Sequence, residues 1–112
     1  MITNTREINR GEDKILVLTL REKESGDAID LSSVSAAEAC FKGETADVVK
    51  TLGSGVSVTD GPKGRLQVVL DEADTLALKV GDNQDFKVKI VIGTDTKIKV
   101  VKRALNVIDP NC

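Results

Sequence analysis

The sequence predicts an all-β domain: an antiparallel β-sandwich carrying one short helix. Three observations lead there. Short β-branched runs alternate with period two, glycine-containing turns recur about every ten residues, and one segment alone has helix-start chemistry. A chain of 112 residues supports a single domain. The sandwich is expected over residues 14–108, preceded by an N-terminal arm or edge strand at 1–13 and followed by a tail at 109–112.

Residues 1–13 are polar, with Ile2 and Ile8 as sparse apolar anchors and Arg6 and Arg10 as cations that would accompany them in arm contacts. Lys14 to Arg21 places Leu16, Leu18 and Leu20 on one face and Ile15, Val17 and Thr19 on the other. Apolar residues on both faces predict an interior strand. Gly26-Asp27 turns the chain. Ser32 to Lys42 has two readings: its Ala-rich centre fits a helix with Val34, Ala37 and Phe41 on one side, and period two fits a strand. Val48 to Leu52 and Val56 to Thr59 flank Gly53-Ser54-Gly55, which reads as a hairpin loop. Asp60-Gly61-Pro62-Lys63-Gly64 is the densest turn signal, with Arg65 to Leu70 following as a strand.

Asp71 can cap the first turn of a helix, and Asp74 at its third position favours the positive end of the helix dipole. Leu76 and Leu78 would anchor that helix, Lys79 would sit in its last turn, and Gly81 would close it. Phe86 to Ile92 alternates, sending Phe86, Val88, Ile90 and Ile92 inward and Lys87 and Lys89 outward. Gly93-Thr94-Asp95 then turns into Lys97 to Ile108. Here Ile98 and Val100 share one parity while Val101, Leu105 and Val107 have the other. A change of phase between Val100 and Val101 predicts a β-bulge or a strand changing sheets.

Composition excludes most chemistry. With no histidine, the chain lacks the usual general base and cannot build Ser–His or Cys–His pairs. Cys40 and Cys112 match no metal or redox spacing. Cys40 is expected as a small buried apolar group, and Cys112 as a mobile thiol able to cross-link chains. A Cys40–Cys112 disulfide stays open, although two lone cysteines are not a disulfide framework. Asp71-Glu72-Ala73-Asp74 spells a helicase tetrapeptide, but no phosphate loop accompanies it. The loop residues Asp60, Asp82, Asp85 and Asp95 lie in different turns, where aspartate ordinarily caps backbone amides. Two Phe, with no Trp or Tyr, leave no stacking platform for single-stranded nucleic acid or sugars. The expectation is a protein without enzymatic activity, cofactor or metal, and with neither nucleic acid nor membrane as partner. No apolar run reaches the ~20 residues of a bilayer span. The opening Met-Ile-Thr-Asn-Thr-Arg-Glu has no signal-peptide character, so synthesis in the cytoplasm is expected.

One surface feature stands out. Between Phe86 and Arg103 there are six basic residues, Lys87, Lys89, Lys97, Lys99, Lys102 and Arg103, against Asp95 alone. That local +5 leaves −7 for the rest of a chain whose net charge is −2. If the hairpin closes at Gly93-Thr94-Asp95, alternation predicts that Lys87, Lys89, Lys97 and Lys99 share one outer face. Such a face discourages strand-to-strand aggregation, or docks an acidic partner such as the acidic surface of a second copy, or contacts a nucleic-acid backbone, a reading that the acidic balance of the whole chain weakens.

The order of signals also carries a resemblance. Ile8-Asn9-Arg10-Gly11-Glu12-Asp13 leads into an apolar strand, and Gly26-Asp27-Ala28-Ile29-Asp30-Leu31 precedes a second. Gly64 to Leu70 runs into Asp74-Thr75, and Val80-Gly81-Asp82 precedes the strand at Phe86. Over residues 8–108 this resembles the immunoglobulin-like N-terminal module of bacteriophage baseplate upper proteins and related small β-sandwich modules of tailed-phage virions. The resemblance favours a strand at 32–42 and an immunoglobulin-like or jelly-roll-like sandwich. It departs from the family around Asn83 to Phe86, where the usual aromatic is replaced, and no trimerising body follows Ile108. The role it implies is structural: a capsid decoration, cement or staple protein, or a tail or baseplate component, located in the virion. Its partners would be itself, as a homo-oligomer with a dimer favoured by symmetry, and other virion proteins. The alternative is an immunoglobulin-like surface adhesion or binding module of a cellular protein.

Overall fold

The computed structural model describes residues 6–22 and 24–109, without the side chains of Arg6 and Arg103. Strands take up 63% of the chain and helix 5%, so the all-β class holds. Among the described residues eight strands form one sheet: β1 (Arg6–Asn9), β2 (Lys14–Thr19), β3 (Val34–Phe41), β4 (Val48–Leu52), β5 (Gly55–Asp60), β6 (Arg65–Leu70), β7 (Gly81–Ile92) and β8 (Asp95–Ile108). Their order is β1-β8-β7-β3-β4-β5-β6-β2, rolled nearly closed like a barrel. Two pairings are parallel, β1 with β8 and β4 with β5. The other five are antiparallel.

Inside the roll the apolar residues meet as period two dictates. Ala37, Ala39 and Phe41 of β3 lie directly across from Ile90, Val88 and Phe86 of β7, and all six are buried. Phe41 and Phe86 stack with ring centroids 4.9 Å apart. Leu16 and Leu18 of β2 face Val68 and Leu66 of β6, completing the opposite wall. Segment 32–42 therefore contains a strand. Its inward alanines, Ala37 and Ala39, pack across from the bulkier Ile90 and Val88, so an Ala-rich composition that also fits a helix serves a strand here.

Both ends of the roll are stoppered. At one end Leu20, Ile29 and Leu31 of the β2–β3 connection are buried. The Leu20 and Leu31 amides donate to the Gly64 and Gly61 carbonyls. Gly64 has a φ of 67°, and a Cβ there would lie 2.6 Å from the Leu20 carbonyl oxygen. At the other end sits the helical turn α1 (Glu72–Leu76), with the Asp71 carboxylate accepting from the Asp74 amide and the Asp74 carboxylate accepting from the Asp71 amide. Its anchors differ from expectation. Leu76 is exposed while Thr75 and Leu78 are buried, and the helix closes at Ala77, leaving Gly81 to begin β7.

Four sequence expectations need correction. Gly53-Ser54-Gly55 does not close a hairpin: β4 and β5 run parallel, joined only at Thr51↔Gly55 and Leu52↔Val56, so the chain makes a jog. Two glycines at positive φ, Gly53 and Gly55, allow it. Strand β2 is the sheet's last strand, and Ile15 and Val17 lie exposed on its outer side. Cys40 is half-buried and points outward between Ala39 and Phe41. The irregularity of β8 falls beyond Val101, where Val101 pairs with Phe86 but Leu105 with Gln84. Ile98 and Val100 simply face solvent.

Substitutions should separate packing from conformation. Phe86→Ala should cost about 3–5 kcal/mol in urea unfolding. Gly64→Ala should cost about 2–4 kcal/mol, because positive φ and a carbonyl collision combine. Gly26 also has positive φ (74°) but open space around it, so Gly26→Ala should cost only about 1 kcal/mol.

Candidate interaction faces

The β7–β8 hairpin turns through Gly93 and Thr94, pairing Ile92 with Asp95. Every rung below follows from that start. Lys97 lies across from buried Ile90, and Lys99 across from buried Val88. Lys87 lies across from Val100, and Lys89 from Ile98. Directly opposed residues share a face of the sheet. The four lysines therefore do not form one face: Lys87 and Lys89 project outward, and Lys97 and Lys99 lie on the inner side, half-buried. Sequence alternation misled because Ile98 and Val100, the apolar pair, are the residues turned to solvent, 61% and 44% exposed.

Lys97 has a defined task. Its Nζ donates to Glu22 Oε1 at 2.7 Å, tying the start of β8 to the connection that follows β2. The hydrogen bond from Lys97 holds the Glu22 carboxyl below the usual glutamate range, against the opposing push of desolvation. The same bond holds the Lys97 ammonium above its ordinary range.

The residues expected as arm contacts divide. Ile2 lies outside the described residues, and Arg6 contributes backbone to β1, across from Leu105. Ile8 is buried beside β8, across from Val107. Arg10 reaches over α1, donating from Nη2 to the Leu76 carbonyl at 2.7 Å and pairing with Asp109 at 3.5 Å. Residues 6–9 thus form an edge strand within the fold. Cys112 lies outside the described residues.

The outer side of β4-β3-β7-β8 carries two rows. Val49, Cys40, Lys87 and Val100 form one, and Thr51, Glu38, Lys89 and Ile98 the next. Exposed apolar groups thus alternate with two ammonium groups, and Glu38 stands directly across from Lys89. Two shallow hollows indent this face. One of about 260 Å³ lies between Ala36, Glu38, Leu52 and Lys89, and one of about 210 Å³ between Cys40, Asp47, Lys87 and Val100. Both are smaller than the ~300 Å³ at which small-molecule pockets begin. The Cys40 thiol donates toward Asp47 Oδ2 at 3.8 Å. Burial, with the Asp47 and Glu38 charges, pushes its pKa up, away from the thiolate form that a nucleophile needs.

Sequence reasoning missed Ile98, Val100 and Val49 as surface residues. The turn length could have found the first two, since a two-residue loop between Ile92 and Asp95 puts Lys97, not Ile98, opposite Ile90.

The Lys97–Glu22 bond predicts a pH signature. Glu22's folded pKa is lowered, so the pair's contribution is present above the unfolded value of about 4.3 and is lost as pH falls through the folded one. On the alkaline side it is lost as pH rises through the raised Lys97 value, above about 10.4. An NMR titration of Glu22 should give a midpoint below the ordinary value, and Lys97→Met should move it upward. An unmoved midpoint in the variant would refute the pairing. No protein-family model matches the chain, and no curated protein is significantly similar to it.

Proposed function

We propose that this chain is a non-enzymatic structural protein of a tailed-phage virion, a small β-sandwich module that binds neighbouring virion subunits. It serves as a capsid decoration or cement protein or as a tail or baseplate component, made in the host cytoplasm and carried on the particle. The observation that carries the reading is the outer side of β4-β3-β7-β8, where Val49, Ile98 and Val100 lie exposed beside Lys87 and Lys89. Apolar groups flanked by cations suit a subunit surface that is apolar at its centre and acidic around it. On this reading the two stretches of the rolled sheet flanking the β4–β5 jog stand in for the layers of a sandwich, and the Phe41–Phe86 stack lies on the inner side of the longer stretch.

The test is sedimentation with virus particles assembled without this chain. The wild type should co-sediment. Lys87→Glu with Lys89→Glu should lose most of that binding while keeping the circular dichroism spectrum, because both side chains are exposed. Failure of the wild type to bind overturns the reading. Intact binding by the double variant removes the lysines from the contact.

A further inference from the structure

The long last strand has an open edge. Strand β1 accompanies β8 only from Leu105 to Ile108. Among the described residues, no strand lies beside the first half of β8, Asp95 to Val101, on the side away from β7. The turn length tells which backbone groups that edge presents. A two-residue turn closes on a hydrogen-bonded pair, here Ile92 and Asp95. Bonded and non-bonded pairs then alternate along an antiparallel ladder. Lys97 and Lys99 therefore aim their amides and carbonyls at β7, whereas Thr96, Ile98 and Val100 aim theirs at the open edge.

We propose that this edge takes up an extended segment of a neighbouring virion subunit as one more strand, a segment in which acidic and apolar residues alternate. The inference rests on the assembly role above and names the form of the contact. Side chains of an added strand line up with those of β8. On the outer side they meet Ile98 and Val100, both exposed, and on the inner side Lys97 and Lys99. Apolar residues suit the first pair and carboxylates the second. Lys97 already holds Glu22. Lys99 acts on Glu22 without an ion pair of its own among the described residues, so it is the main counter-charge for the incoming strand.

Charge decides the occupant. Two β8 edges related by a two-fold axis would set Lys97 and Lys99 of one chain beside the same lysines of the other, and like charges across a ladder repel. The edge thus rejects a second copy and accepts an acidic strand. Main-chain hydrogen bonds supply the affinity, and the alternating side chains select the segment.

The probe is a capped synthetic peptide of alternating glutamate and valine, titrated to about 1 mM into the ¹⁵N-labelled protein. Amide shifts should move at Thr96, Ile98 and Val100 and stay fixed at Thr51 and Ser57. Hydrogen exchange at Ile98 and Val100 should slow about tenfold once the peptide stands at about ten times its dissociation constant; docking by side chains alone would leave it unchanged. A peptide of alternating lysine and valine should not bind. Lys99→Glu should weaken the acidic peptide about tenfold, and Lys99→Met, which keeps the side-chain stem if the first variant does not fold, about threefold. Lys87→Glu with Lys89→Glu, on the outer side, should change it by no more than about twofold at about 0.15 M salt. Amides at Ile98 and Val100 that are already protected in the free protein, or equal binding of the two peptides, overturn the proposal. So does no binding of the acidic one, which leaves the lysines as guards of the edge. A chain that refuses the peptide yet co-sediments with particles loses the added strand and keeps the assembly role. One that takes the peptide yet ignores particles keeps the added strand and loses the virion subunit as its source.

Discussion

The architecture depends on closing a sheet whose two outermost strands are neighbours in sequence. β1 and β2 lie at opposite ends of the strand order and are joined by residues 10–13. That turn must therefore hold both margins of the roll together, and the side chains of Arg10 and Thr75 hold it. Thr75, fully buried, donates its hydroxyl to the Glu12 carbonyl and accepts from the Gly11 amide. Arg10 supplies two donors to the Leu76 carbonyl. The short helical turn thus serves as a clasp: its capping box fixes Thr75, and Thr75 fixes the turn. Lys50 adds a third tie, reaching Asp74 at 2.8 Å from β4.

Much of the fold was legible because burial and alternation agree over most strands. The leucines of β2, the pattern of β6 and the inward set Phe86, Val88 and Ile90 all face the core as period two requires. The Asp71 cap was legible for a local reason, since the amide it accepts from lies within one turn; the return bond from the Asp71 amide to Asp74 was not, because Asp74 reads equally as an acid favoured by the helix dipole. Pairing partners were harder. Ile15 and Val17 look like the buried side of an interior strand, but nothing local tells the chain that β2 ends the sheet. Gly53 and Gly55 fit a hairpin equally well, and the choice between a hairpin and a jog is made by distant strands β3 and β6.

The lysine hairpin shows a competition between two sequence rules. Hydrophobic alternation assigns Ile98 to the inside, whereas the loop length assigns Lys97 there. Main-chain pairing wins, because slipping the register would break the rungs of both long strands to gain burial of two side chains. The misplaced lysines are accommodated near the end of the roll, their stems half-covered and one ammonium answered by Glu22. The candidate surface therefore changes from four lysines to two lysines with three exposed apolar neighbours, a composition better suited to binding than to repulsion.

The jog between β4 and β5 has a mechanical consequence. Five strands lie on one side of it and three on the other; at the jog two ladder rungs, at Thr51 and Leu52, join the groups, while the Lys50–Asp74 pair and the turn at residues 10–13 join them elsewhere. Bending across the jog is resisted by few rungs, whereas the long β7–β8 ladder shares a shearing load over many. A subunit held by its two opposite walls would flex at this seam, with the Lys50–Asp74 pair and the Thr75 clasp limiting how far it opens.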